Sequence, residues 1–389
     1  MKSIKNVVCA MSGGVDSAVS ALMLKRKGFN VQGVFMKNWD LANETGCTSE
    51  ADREDAAYVC DKLKIPFHEV NYVKEYWNEV FSEMMHEYEC GLTPNPDILC
   101  NKSIKFGHFF NYSLNTLGAD AVATGHYARN SWGQFLEHAG QGRGARLLRS
   151  VDQWKDQTLF LSQIPQLSLQ KTMFPVGDLT KGVVKKIASA SGFDKILQKR
   201  ESTGMCFIGK REFQEFIEEY IEPNPGNFVE LESGKIVGEH KGIHYWTIGQ
   251  RTHIGGLDIA YFVASICKET NNIMVVKGTN HPALFTQFVS GGSPHWIYEM
   301  PKELKETGQM SCQFRYQHVH PLVKCTVKMN DRGELDVHIN IPLRSMATGQ
   351  YAVLYKDEEC LGSAKIMKTG PSLYDLDVRD PVKNSEKFS

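Results

Sequence analysis

The chain has 389 residues, of which 42% are hydrophobic and 23% charged, which is a globular composition with apolar material for two or three domains. Its formal net charge of -1 at pH 7 excludes a uniformly basic surface, so any nucleic-acid site must be a local patch. The 10 cysteines form no CxxC pair and follow no signal peptide, which predicts thiols in a reducing compartment and argues against a disulfide scaffold.

The first predicted element is a buried strand at residues 7–11, followed by a glycine turn and an amphipathic helix. The turn reads SGGVDS, from Ser12 to Ser17, and its two glycines let the backbone approach an anion closely. The amides that open the next helix would face this anion with the positive end of the helix dipole. The turn is therefore a candidate phosphate site, with an ordinary strand-to-helix turn as the alternative.

A second strand at residues 31–36 completes a βαβ unit, which places Met36 and the glycine turn at one edge of a parallel sheet. There Met36 would either cover an adenine face or fill a gap in the core. A further strand, starting at residue 119, ends at Gly125 and His126, so these two residues are expected at the same edge. His126 could contact phosphate or base, although a lone histidine is usually a structural residue.

The next candidate site is the segment TPNPDILCNK, in which two prolines bracket Asn95 and make the turn rigid. Cys100 follows at the start of a predicted helix, where the helix dipole and the nearby Lys102 and Lys105 favour the thiolate. Asp97, three residues before it, could exchange a proton with the thiol or with a bound base. The pattern indicates a catalytic site, and the alternative is a capping aspartate with an inert cysteine.

Two polar or basic stretches and a second cysteine loop follow. The trio Lys155, Asp156 and Gln157 suits hydrogen bonds to a nucleotide or an RNA backbone, although a helix cap explains Asp156 equally well. Residues 181–200 hold the densest positive charge, which suits a phosphate-backbone surface or simply a solvated helix face. Cys206 lies in a loop framed by glycines beside these cations, so it is a reactive-thiol candidate or else a half-buried cysteine.

Beyond residue 213 the pattern changes to short strands and turns, which predicts a small central β-rich domain and a C-terminal β-barrel. We place the domains at residues 1–214, 215–280 and 281–371, with a mobile charged tail at 372–389. Within the barrel, Arg315 and Tyr316 set a guanidinium beside a ring, which suits a phosphate and a stacked base. A surface ladder pair is the simpler explanation.

The motifs taken together resemble a known family. SGGVDS after a strand is similar to the loop of the PP-loop ATP pyrophosphatases, which adenylate a substrate oxygen and release pyrophosphate. With FMKNWD, TPNPDILCNK, ATGHYAR, KDQ and GMCFIG in this order, nearly the whole chain resembles the tRNA 2-thiouridylases. The wording of VKEYWNEVF and ESTGMCFIGKREF is most similar to the mitochondrial branch in animals, which implies a mitochondrial protein.

The resemblance implies a doubly wound, parallel-sheet PP-loop domain followed by the two β domains, and ATP-dependent replacement of the 2-oxygen of a wobble uridine by sulfur. It implies a persulfide on Cys206, a nucleophile at Cys100, a disulfide between them after turnover, and Asp97 as acid or base. The residues it assigns to ATP are Ala10, Met11, Ser12, Gly13, Gly14, Val15, Asp16, Ser17, Met36 and Gly125. Those it assigns to the target base or the tRNA are Asn95, Pro96, Asp97, His126, Lys155, Asp156, Gln157, Arg315, Tyr316 and Gln350.

The implied partners are tRNA and a sulfur donor, either a cysteine desulfurase or a sulfur-relay protein. Mg²⁺ would accompany ATP without a dedicated protein site, and Asp16 is the one candidate ligand. No membrane contact is expected, because no apolar run approaches the roughly 20 residues that cross a bilayer. The alternatives are a PP-loop synthetase that adenylates a small molecule and a non-catalytic RNA-binding protein. Cys100 with Cys206 argues against the first, and ATP turnover with tRNA would exclude the second.

Overall fold

The computed structural model describes residues 4–40, 48–140, 142–199, 213–255 and 259–378. Up to residue 199 the strands are β1 Asn6–Ala10, β2 Asn30–Lys37, β3 Phe67–Asn71, β4 Ala121–Ala123, β5 Ala128–Asn130, β6 Leu147–Arg149 and β7 Thr172–Met173. The helices are α1 Val15–Arg26, α2 Thr48–Leu63, α3 Val73–Tyr76, α4 Ser82–Glu89, α5 Pro96–Leu99, α6 Phe110–Asn115, α7 Gln166–Leu169, α8 Lys181–Ala190 and α9 Asp194–Leu197. Two π-helical segments, Trp77–Phe81 and Cys100–Phe109, continue α3 and α5. None of the described helices is long and apolar enough to cross a membrane.

The first domain is built on a parallel sheet with the strand order β3-β2-β1-β4-β7. β1 is central and apolar on both faces, because alternate side chains of a strand point to opposite sides of the sheet. Val7 and Cys9 enter the core that holds α1 and α2, and Val8 and Ala10 enter the core that holds α4 and α6. The prediction of a doubly wound parallel sheet is confirmed.

A small β-rich part follows, with the helix α10 Phe213–Glu218, a 3-10 turn at Ile243–Tyr245, and the strands β8 Gly226–Glu230, β9 Ile236–His240, β10 Tyr261–Cys267 and β11 Asn272–Lys277. The four strands form one sheet in the order β10-β11-β8-β9. β8 and β11 are parallel, and the other two pairs are antiparallel. Phe228, Val263 and Val275 lie in its core. The prediction of a central, mostly β region is confirmed.

The C-terminal part is a closed antiparallel barrel. Its elements are a 3-10 turn at Pro282–Leu284, the helix α11 Lys302–Thr307, and the strands β12 Phe285–Gly291, β13 His295–Trp296, β14 Gln309–Arg315, β15 Val323–Met329, β16 Leu335–Arg344, β17 Tyr351–Lys356 and β18 Glu359–Thr369. Six strands follow the order β12-β16-β15-β14-β17-β18, and β18 pairs with β12 to close the ring. Closure removes the free edges that an open sheet would expose. The prediction of a C-terminal β-barrel is confirmed.

A hairpin from the first domain extends the barrel sheet. β5 and β6 pair with each other, and Leu147 and Leu148 of β6 pair with Cys360 and Glu359 of β18. Residues 130–144 are rich in glycine and polar residues, which favours a hairpin or a mobile loop, and β5 and β6 on either side of them form a hairpin that pairs with the barrel. The first domain and the barrel therefore share one hydrogen-bonded sheet, which fixes the positions of residues 150–160 between them.

Residues 372–378 were expected to begin a mobile tail, and they instead pack on the barrel. Leu373 is buried, its amide donates to the carbonyl of Phe285, and Ser372 forms a bridge with Thr286. A leucine in the charged tail supplies the apolar contact that fixes this turn. Residues 379–389 lie outside the described residues.

Candidate active site

The SGGVDS turn joins the central strand β1 to α1. Gly13 has a φ of 71°, in the left-handed region that favours glycine, and Gly14 is the extended residue before the helix. The hydroxyl of Ser17 donates to the carbonyl of Gly14 at 2.9 Å and accepts from the amide of Ser12 at 3.2 Å. These bonds close the turn around the amides that begin a helix of 12 residues. A preformed turn at a helix N-terminus can bind a phosphate group through its backbone amides.

Two glycines allow neighbouring segments to pack directly on this turn. A Cβ added to Gly13 would lie 2.4 Å from the backbone oxygen of Asp52 in α2. A Cβ added to Gly125, at the end of β4, would lie 2.8 Å from the backbone nitrogen of Ser17. The structure therefore brings Gly125 onto the SGGVDS turn, at the carboxyl edge where the sequence places it. Met36, at the end of β2, is half-buried at this edge of the sheet.

Asp16 is bound by two residues that lie far from it in the sequence, Lys181 and Tyr127. Lys181, the first residue of α8, places its Nζ 2.8 and 2.7 Å from the two carboxylate oxygens of Asp16. The hydroxyl of Tyr127 donates to the same carboxylate at 2.9 Å. Asp16 is thus neutralised inside the fold, and this does not support its suggested role as a magnesium ligand. Within the described ranges, no cluster of His, Cys, Asp or Glu side chains is arranged to hold a metal ion.

The rigid turn before Cys100 is held by the barrel. Asn95 caps α5 by accepting from the amide of Ile98 at 3.3 Å, and Pro96 occupies the first turn. The Asn95 side chain also donates to the Oε1 of Gln350 at 3.2 Å, and Gln350 donates in turn to the carbonyl of Pro94 at 3.3 Å. Two residues predicted to contact RNA, 255 positions apart, therefore meet in the structure.

Cys100 ends α5 and begins the π-helical segment, with only 6% of its surface exposed. Beside it, the side-chain Nδ2 of Asn101 donates to the backbone carbonyls of Asp97 and Phe160, at 2.9 and 3.2 Å. The Asp97 side chain reaches the surface, but the protein around it displaces part of its water. This desolvation raises the pKa of the Asp97 carboxyl, and the charge of Lys105 opposes the rise. Cys206 lies outside the described residues.

His126 lies beside the same helix. Its Nδ1 is 2.8 Å from the hydroxyl of Thr124, and its ring centre is 6.0 Å from that of Phe106. The protein around it lowers its pKa well below the ordinary value, and Lys105 lowers it further. The imidazole is therefore neutral at neutral pH, and it can accept or donate one hydrogen bond. Lys105 acts electrostatically on both Asp97 and His126, so these three residues share one neighbourhood.

Asp156 and Arg315 are placed differently from the expectation that they contact RNA. Asp156 is fully buried, and Arg315 of β14 donates to its carboxylate at 3.0 Å. Arg149 lies 3.4 Å from the same oxygen, and the hydroxyl of Thr158 donates to the other one at 2.9 Å. The pair is a buried ionic link between the first domain and the barrel. It is not presented to a ligand in this arrangement, and RNA contact by either residue stays a prediction.

The remaining predicted tRNA contacts also have structural partners. The backbone amide of Gln157 donates to the carbonyl of Tyr127 at 2.9 Å, and the side-chain Oε1 of Gln157 accepts from the backbone amide of Tyr127. Gln157 thus positions the tyrosine that holds Asp16. Tyr316 is buried and donates to the carbonyl of Arg344 at 2.5 Å, so it forms neither a surface ladder pair nor an exposed stacking platform. Lys155 is half-buried.

Three family models match the chain. They are described as a tRNA methyl transferase HUP domain at residues 5–210, a tRNA methyl transferase PRC-barrel domain at 214–277, and an aminomethyltransferase beta-barrel domain at 287–366. A solved complex of a 4-thiouridine synthetase with RNA and bound ATP matches 55% of this chain and 50% of its own, with 15% identity and a TM-score of 0.33. A likeness at that score has no bearing on the function.

Whole-chain relatives are more informative. The mitochondrial tRNA-specific 2-thiouridylase 1 of Danio rerio is 53% identical, covering 97% of this chain and 94% of its own. The proteins of the same name from Homo sapiens and Drosophila melanogaster are each 49% identical, covering 97% and 95% of this chain and 93% and 95% of their own. This similarity extends over all three domains, so the chain belongs to the tRNA-specific 2-thiouridylase family, in its mitochondrial animal branch.

Proposed function

We propose that the protein transfers sulfur to C2 of the wobble uridine of tRNA, at the expense of ATP. The observation that best supports this assignment is the turn after β4. Its Gly125 packs on the phosphate turn at Ser17, and its His126 packs against Phe106 in the helix that begins at Cys100. A nucleotide phosphate and a thiol nucleophile would therefore work on either side of one short turn, as adenylation followed by sulfur attack requires.

Adenylation makes the uridine oxygen a leaving group, because a uracil carbonyl by itself is a poor electrophile. Residues 10–17 would hold the pyrophosphate that departs when O2 of the base attacks the α-phosphate. Helix-terminal amides stabilise the negative charge on that pyrophosphate. Mg²⁺ would accompany ATP through the phosphates themselves, as is usual for this ion. Met36 and Gly125 would line the adenosine.

The sulfur would come from a persulfide on Cys206, loaded by a cysteine desulfurase or a sulfur-relay protein. Either the persulfide attacks C2 and Cys100 then displaces it, or Cys100 first releases the sulfur for attack. In both routes C2 gains sulfur, AMP leaves, and two thiols are oxidised to the Cys100–Cys206 disulfide, which supplies the two electrons that reduce the sulfane sulfur. A reductant must then restore the thiols.

Asn95, Pro96 and Asp97 would receive the flipped base, held in place by Gln350 from the barrel. The raised pKa of Asp97 makes its protonated form more accessible than that of an ordinary carboxyl, which suits a group that exchanges a proton with the base. His126, neutral in this site, would contact the base or the tRNA by hydrogen bonding, without adding charge. Lys155, Asp156, Gln157, Arg315 and Tyr316 remain proposed tRNA contacts, of which the described arrangement exposes Lys155 and Gln157 in part.

The test is mass spectrometry of tRNA nucleosides after incubation with ATP, Mg²⁺ and a sulfur donor. We expect 2-thiouridine, with AMP formed in proportion and only when tRNA is present. AMP formation that depends on a metabolite instead of tRNA would identify a small-molecule synthetase. Binding of tRNA without any ATP turnover would identify a non-catalytic RNA-binding protein.

We expect Gly13→Ala to weaken ATP binding by at least about tenfold. Alanine at a left-handed φ costs roughly 1–2 kcal/mol, and its Cβ would also push the turn away from Asp52, 2.4 Å away. Gly28→Ala is the matched control, because Gly28 has a φ of 89° but no atom within 4 Å of an added Cβ. Isothermal titration with ATP compares the two variants. Equal ATP affinities in both would show that the Gly13 contact does not shape the nucleotide site.

A further inference from the structure

Trp154 has the most exposed large apolar side chain of the described residues. Its surface is 87% exposed, and two further apolar side chains are open as well, Val151 in the same turn at 51% and, in the barrel, Val319 next in sequence to His318 at 79%. A solvent-facing indole is unusual, because tryptophan is highly buried on average. Exposed apolar groups that cluster on a surface mark interaction sites.

The turn that carries Trp154 is rigid. The carboxylate of Asp152 accepts from the amides of Trp154 and Lys155, at 3.2 and 3.3 Å, and from the amide of Lys181 at 2.9 Å. The hydroxyl of Ser150 donates to the carbonyl of Asp152 at 2.7 Å. The indole is therefore held in the solvent on an ordered support, which lowers the entropy lost when a ligand binds to it.

The barrel holds the other side of this turn. The His318 ring lies beside the backbone of Trp154, and its centre lies 5.3 Å from that of Phe160. Burial first, and the charge of Arg315 next, lower the pKa of His318, so this support is neutral at neutral pH. The indole thus projects from the seam between the catalytic domain and the barrel, the two parts that contribute Asn95 and Gln350 to the proposed base site.

The charges around the indole favour a polyanion over a protein of mixed charge. The carboxylate of Asp152 is used inside the turn, and Asp156 is fully buried against Arg315. Helix α8, which Asp152 caps, has the sequence KGVVKKIASA without an acidic residue, and Lys185 and Lys186 are exposed on it. The carboxylates of Asp152 and Asp156 are thus held within the protein, while Lys185 and Lys186 are exposed on α8.

We infer that Trp154 is a stacking platform for an unpaired base of the tRNA, outside the pocket that receives the target uridine. This inference rests on the proposed function, since it concerns the same substrate. Aromatic side chains beside lysines are the usual means of binding unpaired bases, which stack on the ring while the cations bind the backbone. Trp154 acts here as a binding residue and takes no part in sulfur transfer.

The test compares full-length Trp154→Ala, Trp154→Phe and the wild type by tRNA titration at one fixed salt concentration. Alanine should weaken binding about 5- to 150-fold, the range that loss of one stacked base produces, and phenylalanine should retain most of the affinity. Leu167→Ala is the matched control, because Leu167 is 64% exposed on α7 and has no proposed role. The indole fluorescence that the wild type has in excess of Trp154→Phe should be quenched by tRNA.

Wild-type tRNA affinity in Trp154→Ala would overturn the inference. It would also be overturned if the variant binds tRNA normally but loses activity only with a protein sulfur donor and not with free sulfide, since the surface would then bind that protein. The wild-type reaction, run in parallel, tests the proposed function separately: absence of 2-thiouridine there would refute the function, whatever the Trp154 variants bind.

Discussion

Cys100→Ser is expected to reduce 2-thiouridine formation to below about one thousandth of the wild-type rate, while ATP binding stays within a factor of about two. A serine hydroxyl is not ionised at neutral pH and cannot accept sulfur, so removal of the nucleophile removes the covalent route. Cys100 lies in the helix after Asn95 and not in the phosphate turn at residues 10–17, so the nucleotide site stays intact. Nucleoside mass spectrometry and ATP titration measure the two effects separately.

Cys206→Ser should give the same loss, because the persulfide could no longer form. Cys267→Ser is the matched control, since Cys267 is a half-buried cysteine in β10 of the central sheet and has no role in the mechanism. It should leave the rate unchanged. Normal thiolation by either Cys100→Ser or Cys206→Ser would refute the two-cysteine mechanism, whereas equal losses in all three variants would point to damage from cysteine removal in general.

Much of the fold follows from local patterns in the sequence. The apolar run from Val7 to Met11 places hydrophobic side chains on both faces of the strand, so other elements must cover the strand on both sides. The glycine turn after it leads the chain into α1. The predicted strand at residues 31–36 is β2 Asn30–Lys37. Period and turn chemistry determine such elements within a few residues, so they are readable without tertiary contacts.

The sequence predicts the site as separate motifs, and it does not predict the contacts between those motifs. Nothing in the local sequence links Lys181 with Asp16, 165 positions away, although the lysine was noted as part of a basic stretch. A free lysine on a helix face and one that neutralises a carboxylate have the same local pattern, because the difference lies in the packing of α8 on α1. The contact between Asn95 and Gln350 is equally invisible in the local sequence, because it depends on how the barrel packs against the first domain.

The largest difference between expectation and structure concerns Asp156 and Arg315. Their residue types suit RNA contact, and they are buried against each other instead. Burial of a charged pair between domains depends on the β5–β6 hairpin joining β18, a pairing of strands more than 200 positions apart. Sequence periodicity carries no information about such a pairing, so the mutual neutralisation of these residues could not be predicted.

The second large effect is expected for Arg315→Met, which should lower the free energy of unfolding by about 3 kcal/mol. The substitution leaves the carboxylate of Asp156 fully buried, with Arg149, at 3.4 Å, as its one remaining cationic partner among the described residues. Removing one member of a buried pair typically costs 3–5 kcal/mol, because the other charge stays desolvated. Urea unfolding of the full-length protein, monitored by circular dichroism, measures the change.

The control for this prediction lies at the same interface. Arg146→Met removes a pair with Glu359 in which the arginine is 51% exposed, and such exposed pairs contribute about 0–1 kcal/mol. Asp156→Asn with Arg315→Met should cost less than the sum of the two single changes, because each single change leaves one member of the Asp156–Arg315 pair buried without the other and the double variant removes both. If Arg315→Met instead unfolds like the wild type and binds tRNA more weakly with a smaller salt dependence, then Arg315 acts on a phosphate and the buried pair forms only without tRNA.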